Sequence, residues 1–534
     1  MAEIKKFLNK KTAVISTSLL ATVLIIIGAK KTYDYAAPPN ELKNCDFIYP
    51  EGQDQTKPTT ISVKPAVSEL SFEQKGGTIN DTSCLNKTSV YGIVKINNEQ
   101  DVKNAIEYAK ENKLKITAAG QRHSMGGQSF IQNGLVLDMR SYNRIKLNKE
   151  NKTVNIQSGA SWKQLQELLD KQGLSVIAMQ SINIFSVGGT LSVNAHGIAH
   201  DPGQVAPTVK SMRVMLSSGE IKTASLTENP ELFKSVLGGY GLMGVILDVS
   251  LSITDNELYT YSTKYMDYKQ FPQYYKDSIA NNKDLGLFYA RLSMSPTSYL
   301  TTTAVHLYEK TDDKTPIPPL NTDEHDWLQR LVINFSKTGG FGRWTRSVLE
   351  KYADSSVLHT CISRNQAMSQ KEAICDVSRN QEMYDAMGYL RNRLPDTDIL
   401  QEYFVPPDKM PEFIDSLRST VQKNGANLLN VTIRIVHKDN ITALPYAKDD
   451  RFAFVLYFNQ KFNEKDSQIL KKTTTELIDI ATNLGGAYYL PYQLYYTPEQ
   501  LRKAYPEVDS FFSTKKKYDP TELFDNTWYQ KYSS

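Results

Sequence analysis

Three glycine-rich segments follow one another within about 130 residues in the first half of this 534-residue chain. They occupy residues 118–129, 186–197 and 237–249. Glycine lets a backbone turn sharply and brings consecutive N–H groups close to a ligand such as a phosphate. Three unrelated turns explain this clustering poorly. The sequence therefore predicts one extended, nucleotide-like cofactor lying across one domain.

The first segment carries a histidine, His123, at its tip, directly after the short apolar run 115–118. A histidine inside an anion-binding loop is a candidate nucleophile toward a cofactor. The alternative is a turn histidine that makes a single hydrogen bond. The neighbouring segments favour the first interpretation.

The third segment contains G-x-G-x-x-G at Gly239, Gly241 and Gly244. The dinucleotide fingerprint has to follow a strand and open a helix, because the pyrophosphate sits on the helix N-terminus. Here a helical pattern over 230–237 precedes the glycines and a strand pattern over 245–253 follows them. This order excludes the Rossmann interpretation and leaves a cofactor site of another kind.

The chain is too long for one core, so at least two domains are expected. Strand patterns at 91–96, 135–138 and 153–157 alternate with helical patterns at 98–112 and 161–171, which is typical of an α+β domain. Residues 256–483 change to aromatic-rich strands, including 399–406, 428–436 and 451–460, and predict a mostly antiparallel sheet. The expected units are an N-terminal segment over 1–30, an irregular lead-in over 31–85 and the α+β domain over 86–255. The antiparallel-sheet domain over 256–483 and a C-terminal segment over 484–534 follow.

Residues 12–29 form an apolar run that is long enough to cross a bilayer. Four lysines precede it, which predicts a single-pass anchor with the N-terminus in the cytoplasm and the body on the exported, periplasmic side. A cleaved signal peptide is the alternative. A net charge of +4 is too small to indicate a nucleic-acid partner.

All four cysteines, Cys45, Cys84, Cys361 and Cys375, follow the apolar run. An even number outside the cytoplasm permits two disulfides, with Cys45–Cys84 and Cys361–Cys375 as the simplest pairing. Four free thiols are the alternative. No histidine, cysteine or carboxylate spacing indicates a metal.

Taken in order, the three segments resemble the FAD-binding domain of the vanillyl-alcohol oxidase family, which has the PCMH-type fold. The motifs are A-x-G-x-R-H-S, S-V-G-G-T-L-S-x-N-x-H-G and G-G-x-G-x-x-G-V-I, and the resemblance covers roughly residues 86–255. It implies a two-subdomain FAD-binding domain followed by an antiparallel-sheet substrate cap. The last 50 residues or so would return to the flavin.

The resemblance also implies the residues that bind FAD. His123 matches the histidine that often bonds covalently to the flavin, and His196 matches a residue beside it with a structural role. The matching cofactor-binding positions are Gly120, Gln121, Arg122, His123, Ser124, Gly188, Gly189, Thr190, Asn194, Gly197, Gly241, Gly244 and Ile246.

Arg434 lies in an otherwise apolar strand pattern, where a buried arginine needs a partner. An arginine facing solvent by strand alternation is the alternative. The surrounding sequence is similar to the strand that carries a catalytic arginine in alditol and aldonolactone oxidases. The alditol enzymes have a glutamate two residues earlier, where this chain has Thr432.

The segment Tyr489-Leu490-Pro491-Tyr492 resembles the Y-L-x-K run of decaprenylphosphoryl-ribose oxidase relatives, with Tyr492 in place of the lysine. Tyr492 and Tyr495 are therefore candidates for binding a substrate hydroxyl. Packing in a tyrosine-rich chain is the alternative for both.

The resemblance implies an FAD-dependent oxidase or dehydrogenase that oxidises a CH–OH group by hydride transfer to flavin N5. A polyol, aldose, lactone or lipid-linked sugar would be the substrate, Arg434 would stabilise negative charge, and a tyrosine or a water would take the proton. The electron acceptor would be oxygen or, for a dehydrogenase, a quinone or carrier. A flavin-fold binding protein without catalysis is the third hypothesis.

Overall fold

The computed structural model describes residues 28, 30–36, 70–311, 315–320, 327–357, 361–369 and 394–533. Within these ranges, none of the helices has the length and apolar character needed to span a bilayer. The apolar run predicted as an anchor lies outside the described residues except for Gly28. Cys45 and Cys375 also lie outside them, and Cys84 is disulfide-bonded.

Twelve strands build the first part of the molecule. They are β1 Phe72–Lys75, β2 Thr78–Ile79, β3 Thr88–Ser89, β4 Gly92–Lys95, β5 Ile116–Ala119, β6 Leu135–Asp138, β7 Ile145–Asn148, β8 Thr153–Gln157, β9 Leu174–Val176, β10 Val209–Met215, β11 Ile221–Ser225 and β12 Val245–Asp255. The strands β1 and β2 fall in the segment that was expected to be irregular. Because β1 is short, polar and held at a sheet edge by β4, its own pattern gave no strand signal.

The first sheet has the strand order β1-β4-β6-β5, with β4, β5 and β6 parallel. Helix Glu99–Glu111 connects β4 to β5 and buries its apolar face, as its spacing predicts. A capping box between Asn98 and Asp101 fixes the start of this helix. Because β5 ends at Ala119, the first glycine-rich segment begins at the carboxyl edge of the sheet.

The second sheet is antiparallel, with the order β11-β10-β12-β8-β7 and with β9 on β12. Its helices are Trp162–Asp170, Val187–Ser192 and Pro230–Val236. The glycines of the third segment, residues 238–244, lie between helix Pro230–Val236 and β12, which confirms that they follow a helix and precede a strand. The second segment contains helix Val187–Ser192, which the sequence analysis did not predict.

An eight-stranded sheet forms the second part of the molecule, and all its pairings are antiparallel. The order is β16-β13-β15-β14-β18-β19-β17-β20. The strands are β13 Leu258–Asp267, β14 Leu285–Leu292, β15 Thr302–Lys310, β16 Cys361–Ser363, β17 Asp396–Val405, β18 Asn427–Val436, β19 Arg451–Lys461 and β20 Ala487–Tyr488. The predicted antiparallel cap sheet is confirmed.

Helices lie along the cap sheet and in the C-terminal segment. They are Phe271–Tyr274, Trp327–Ser336, Gly340–Val357, Arg364–Ser369, Met410–Asn424, Glu464–Asn483, Pro498–Ala504, Val508–Tyr518 and Thr527–Tyr532. The central strands β17, β18 and β19 are buried on both faces, because odd- and even-numbered residues alike are buried along them. A polar side chain on these strands therefore has to find a partner inside the protein.

The C-terminal segment leaves the cap at β20 and packs against the first sheet. The N–H of Ile116 donates to the carbonyl of Leu523 at 2.8 Å, and Thr117 Oγ1 donates to the carbonyl of Asp525 at 2.8 Å. Asn526 Nδ2 donates to the carbonyl of Tyr240 in the third glycine-rich segment at 2.9 Å. These contacts hold the chain's end beside the strand that leads into the first glycine-rich segment.

Candidate active site

One deep cleft lies between the glycine-rich segments and the inner face of the cap sheet, with an empty volume of about 1360 Å³ including its mouth. All three glycine-rich segments line it, together with residues of β17, β18, β19 and the C-terminal segment. Eleven of the predicted cofactor-binding residues are on its wall. They are Gly120, Gln121, Arg122, His123, Ser124, Gly188, Gly189, Thr190, Gly241, Gly244 and Ile246.

Asn194 and Gly197, the two other predicted positions, lie behind this wall. Asn194 Oδ1 accepts from the N–H of Ala206 at 3.1 Å, and its Nδ2 donates to Asp439 at 3.1 Å. A Cβ added at Gly197 would stand 1.8 Å from the carbonyl oxygen of Met179. The structure therefore gives these two residues a packing role beneath the second segment.

The first and second glycine-rich segments touch each other at Gly120. A Cβ added there would lie 1.9 Å from Ser186 Oγ, so a larger residue would push the two segments apart. At Gly241 the backbone is left-handed, with φ of +72°, and a Cβ would meet nothing within 4 Å. The glycine therefore serves the backbone conformation there and leaves the wall open to a ligand.

The first segment is held by hydrogen bonds, among them two to the C-terminal segment and one to Asp81. The N–H of Met125 donates to the carbonyl of Pro491 at 2.8 Å, and the N–H of Gly127 donates to Asp81 Oδ2 at 2.9 Å. Gln128 Nε2 donates to the carbonyl of Leu490 at 2.9 Å. His123 is half-buried on the cleft wall and stacks on Phe185, with ring centroids 4.2 Å apart.

The donors and shape of the cleft fit FAD. Glycines from all three segments, Gly120, Gly188, Gly189, Gly241 and Gly244, lie on its wall, where they let a ligand approach the backbone closely. Within the described part of the chain, Ser158 Oγ is buried on this wall without a hydrogen-bond partner. A buried hydroxyl without a hydrogen-bond partner lowers the stability of the folded protein unless a ligand provides that partner. A phosphate or a flavin ring edge supplies the acceptors that this hydroxyl and the backbone N–H groups need.

A buried acid–base pair, Glu402 on β17 and His196 of the second glycine-rich segment, lies on the cap side of the cleft. His196 Nε2 and Glu402 Oε1 are in direct contact, and both side chains are almost fully buried. Tyr492 Oη donates to the other carboxylate oxygen, Glu402 Oε2, at 3.2 Å. The cleft thus holds a carboxylate with an imidazole on one oxygen and a phenol on the other.

Arg434 joins this group from β18 and is 3% exposed, which excludes the solvent-facing alternative. Its Nη2 donates to Ser181 Oγ at 2.6 Å, and its Nη1 donates to the carbonyl of His196 at 3.4 Å. Burial lowers the pKa of Arg434, and the nearby Glu402 opposes that shift. Arg434 Nε has no hydrogen-bond partner among the described residues and remains a donor for a ligand.

Strand register explains why Glu402 and Arg434 meet. Glu402 is opposite Val455 of β19, and Val455 is opposite Thr432 of β18. Arg434 follows Thr432 by two residues and shares its face, because side chains alternate along a strand. The Glu402 carboxylate therefore lies level with Thr432, two strands away across the sheet. Thr432 is the position at which the alditol oxidases have their glutamate.

The two predicted tyrosines have different surroundings. Tyr492 lines the cleft, and burial with the nearby Glu402 carboxylate raises its pKa well above its usual value. Tyr495 is not on the cleft wall. It is half-buried against the main core, and burial raises its pKa to about 12. A raised pKa favours the protonated phenol, which is a hydrogen-bond donor rather than a base.

Sequence reasoning missed Glu402 and assigned His196 a structural role. Glu402 is a charged residue in the largely apolar stretch Ile399–Val405. A charged residue in an apolar strand pattern is also the signal that singled out Arg434. The contact with His196 bridges more than 200 residues of sequence, and no local pattern reports it. Tyr489 and Ser181, which also line the cleft, gave no signal that separates them from packing residues.

Comparison with known proteins matches two family profiles to this chain. The profile described as "FAD binding domain" matches residues 91–225, and the profile described as "D-arabinono-1,4-lactone oxidase" matches residues 299–532. The first match contains the glycine-rich segments 118–129 and 186–197. The second contains β17, β18 and the C-terminal segment, so the two matches meet at the cleft.

Three relatives illustrate the range of similar proteins. L-gulonolactone oxidase of Mus musculus is 21% identical over 443 residues, which is 81% of this chain and 92% of the relative. Cytokinin dehydrogenase 2 of Arabidopsis thaliana is 27% identical over 235 residues, 43% of this chain and 46% of the relative. D-lactate dehydrogenase of Anaerostipes hadrus is 29% identical over 192 residues, which is 33% of this chain and 40% of the relative.

The chain thus spans about half or less of the length of these two dehydrogenases and most of the length of the L-gulonolactone oxidase. The two profiles cover both halves of the cleft, and the glycine-rich wall fits the cofactor that the first profile names. The chain belongs to the PCMH-type FAD oxidoreductases, a family of FAD-dependent oxidases and dehydrogenases.

Proposed function

We propose that this protein oxidises a CH–OH group of a polyol, aldose, lactone or lipid-linked sugar. The observation that carries the proposal is the buried cluster of Glu402, His196, Arg434 and Tyr492 on the cleft wall opposite the first glycine-rich segment. Removing two electrons from such a carbon requires an acceptor for a hydride and an acceptor for the hydroxyl proton. FAD, when bound, supplies the hydride acceptor.

The Glu402–His196 pair is our candidate for the proton acceptor. A carboxylate and an imidazole in direct contact can take one proton and share it, and general base catalysis of this type contributes roughly 10²–10⁴-fold. The hydroxyl oxygen of the substrate keeps the electrons of the broken O–H bond, and these form the new C=O bond as the hydride leaves carbon. The products are a carbonyl compound, the reduced cofactor and a protonated pair.

Arg434 and Tyr492 have supporting roles in this proposal. Arg434 stabilises the negative charge that develops on the substrate oxygen, because its guanidinium is buried and its Nε is available to a ligand. Tyr492 keeps its proton and donates to Glu402 Oε2, which fixes the carboxylate's orientation. Ser181 holds the other end of the guanidinium.

We also propose that FAD is bonded covalently through His123 and that residues 12–29 anchor an exported body in the membrane. The position of His123 on the cleft wall and its resemblance to the family's flavinylated histidine support the first proposal. The flanking lysines and the length of the apolar run support the second. A covalent link would keep the cofactor on a protein outside the cytoplasm.

The electron acceptor is oxygen in the oxidase form of the proposal and a quinone or carrier in the dehydrogenase form. The second form has support from the proposed anchor, which would place the protein beside a membrane quinone pool. Ala195, which lines the cleft, is a candidate for limiting oxygen access.

The test is anaerobic bleaching of the purified yellow protein by a panel of polyols, aldoses, aldonolactones and 2-hydroxy acids. We expect a polyol, sugar or lactone to bleach the flavin and a 2-hydroxy acid to leave it oxidised. Adding oxygen or a quinone analogue to the bleached protein then separates oxidase from dehydrogenase. A colourless protein without bound flavin, or bleaching by the hydroxy acids alone, would contradict the proposal.

A further inference from the structure

Helix Gly340–Val357 has an apolar outer face. Over residues 340–350 the exposed positions are Gly340 and four large apolar residues, Phe341, Trp344, Val348 and Leu349, which we call the apolar stripe. They are 72%, 46%, 48% and 42% exposed. A helix on the surface of a soluble protein normally has polar residues on its solvent-exposed face. A contiguous exposed apolar patch marks a site of interaction.

The inner face of the same helix fixes its orientation. A Cβ added at Gly342 would lie 2.2 Å from the carbonyl oxygen of Phe335, so the helix packs closely on helix Trp327–Ser336. Arg346 is buried and donates to the carbonyl of Leu429 at 2.7 Å and to Asn430 Oδ1 at 3.3 Å. Phe341, Trp344 and Val348 follow one another at helical spacing on the side away from Arg346, so these three residues of the apolar stripe face away from the cap sheet.

The short helical segment 30–36, which follows the N-terminal apolar run in sequence, contacts this helix pair. Residues 30–36 are helical and follow the run directly, and Asn334 Nδ2 donates to the carbonyl of Tyr35 at 2.9 Å. The next residue, Phe335, packs edge-to-face on Phe341 of the apolar stripe, with ring centroids 6.1 Å apart. Lys30, Lys31 and Tyr33 are exposed at the same place.

We propose that the apolar stripe lies in the interfacial layer of a lipid bilayer, as a second membrane contact next to the N-terminal run. Tryptophan, phenylalanine and a neighbouring tyrosine with lysines are the side chains that favour this layer. Asn430, which accepts from Arg346, lies on β18, the strand that carries Arg434. The contact would therefore place the substrate side of the cleft close to the membrane surface.

Trp344 is itself a probe of this contact. The full-length protein is reconstituted into phosphatidylcholine–phosphatidylglycerol vesicles whose acyl chains are either plain or brominated, because bromine quenches tryptophan only at close range. The chain has three other tryptophans. Trp162 and Trp528 are fully buried and report little, and Trp327 is replaced by phenylalanine in every protein compared. We expect brominated lipid to lower the tryptophan emission of this parent protein and a further Trp344→Phe substitution to abolish most of that loss. Equal quenching in both proteins, or none in either, overturns the proposal.

A second pair of variants separates this contact from the N-terminal anchor. Phe341→Asp with Val348→Asp should reduce the quenching at least severalfold, whereas Leu226→Asp, at a residue 54% exposed elsewhere on the surface, should leave it unchanged. Flotation with the vesicles measures the anchor, and bound flavin reports folding. Unchanged quenching in the stripe variant, or an equal decrease in the Leu226→Asp control, contradicts the proposal whether or not the protein floats or turns over.

Discussion

Glu402 and Arg434 share one face of the cap sheet although their strands do not pair with each other. The strand β19 lies between them, with Val455 opposite Glu402 and Ala453 opposite Arg434. Both side chains reach the same cleft, where His196 contacts the carboxylate through its ring and accepts from the guanidinium through its carbonyl. An acid, a base and a cation are thus gathered from segments far apart in sequence.

Replacing Glu402 by glutamine should remove the proposed proton acceptor without changing the side-chain volume. We expect the rate of flavin reduction by substrate to fall by roughly 10²–10⁴-fold, with flavin content unchanged. Rapid anaerobic mixing measures this rate. Glu309→Gln is the matched control, since Glu309 lies on β15 and accepts only from Asn282 in the described structure. A Glu402→Gln enzyme that is reduced at the wild-type rate would exclude Glu402 as the base.

Tyr492 and Tyr495 form a natural pair of test and control. Tyr492→Phe removes the 3.2 Å hydrogen bond to Glu402, and a hydrogen bond to a charged group contributes about 1.5–3 kcal/mol. We therefore expect flavin reduction to slow by roughly 10- to 100-fold. Tyr495→Phe alters a side chain off the cleft wall and should leave the rate unchanged. Equal effects of the two variants would mean that Tyr492 has no special role.

His123→Ala tests the proposed covalent link. Acid precipitation of the wild-type protein should leave the yellow colour in the pellet, and the same treatment of the variant should release it into the supernatant. His437→Ala is the control, because His437 is a partly exposed histidine paired with Asp450 outside the cleft. Colour that stays with the pellet in the His123→Ala protein would place the link elsewhere. Colour released from the wild-type protein would show that FAD is not covalent.

The buried carboxyl group of Asp81 should make the free energy of unfolding depend on pH. Burial raises its pKa to about 6, while a carboxyl in the unfolded chain titrates near 4. Between about pH 4 and 6 the folded state keeps a proton that the unfolded state has lost. The stability that protonated Asp81 contributes is therefore present below pH 4 and is lost as the pH rises to 6.

The difference in pKa corresponds to at most about 3 kcal/mol. We expect the unfolding free energy of Asp81→Asn, relative to wild type, to increase by up to that amount between pH 4 and pH 7, measured by denaturant titration. Asp277→Asn, at an exposed carboxylate on the cap, should show no such trend. A constant difference between wild type and Asp81→Asn across this range would contradict the prediction.

Much of the fold was predictable because its signals are local. Helices Glu99–Glu111 and Trp162–Asp170 follow from apolar spacing and their capping residues, and both lie within a residue or two of the predicted bounds. The glycine-rich segments predicted a shared cofactor cleft, and eleven of their thirteen selected positions line one. Strand β1 was missed because a short polar edge strand is defined by its partner rather than by its own pattern.

The sequence by itself determined much of the secondary structure around the cofactor site, the order of the glycine-rich segments and the position of an arginine in the apolar strand β18, but not that this arginine is buried. Only the tertiary structure decided which polar groups that arginine meets. Glu402 reaches it through the register of three strands, and His196 through the packing of the second glycine-rich segment on the cap sheet. Contacts of this kind depend on how distant segments are aligned, and periodicity within one segment carries no information about that alignment.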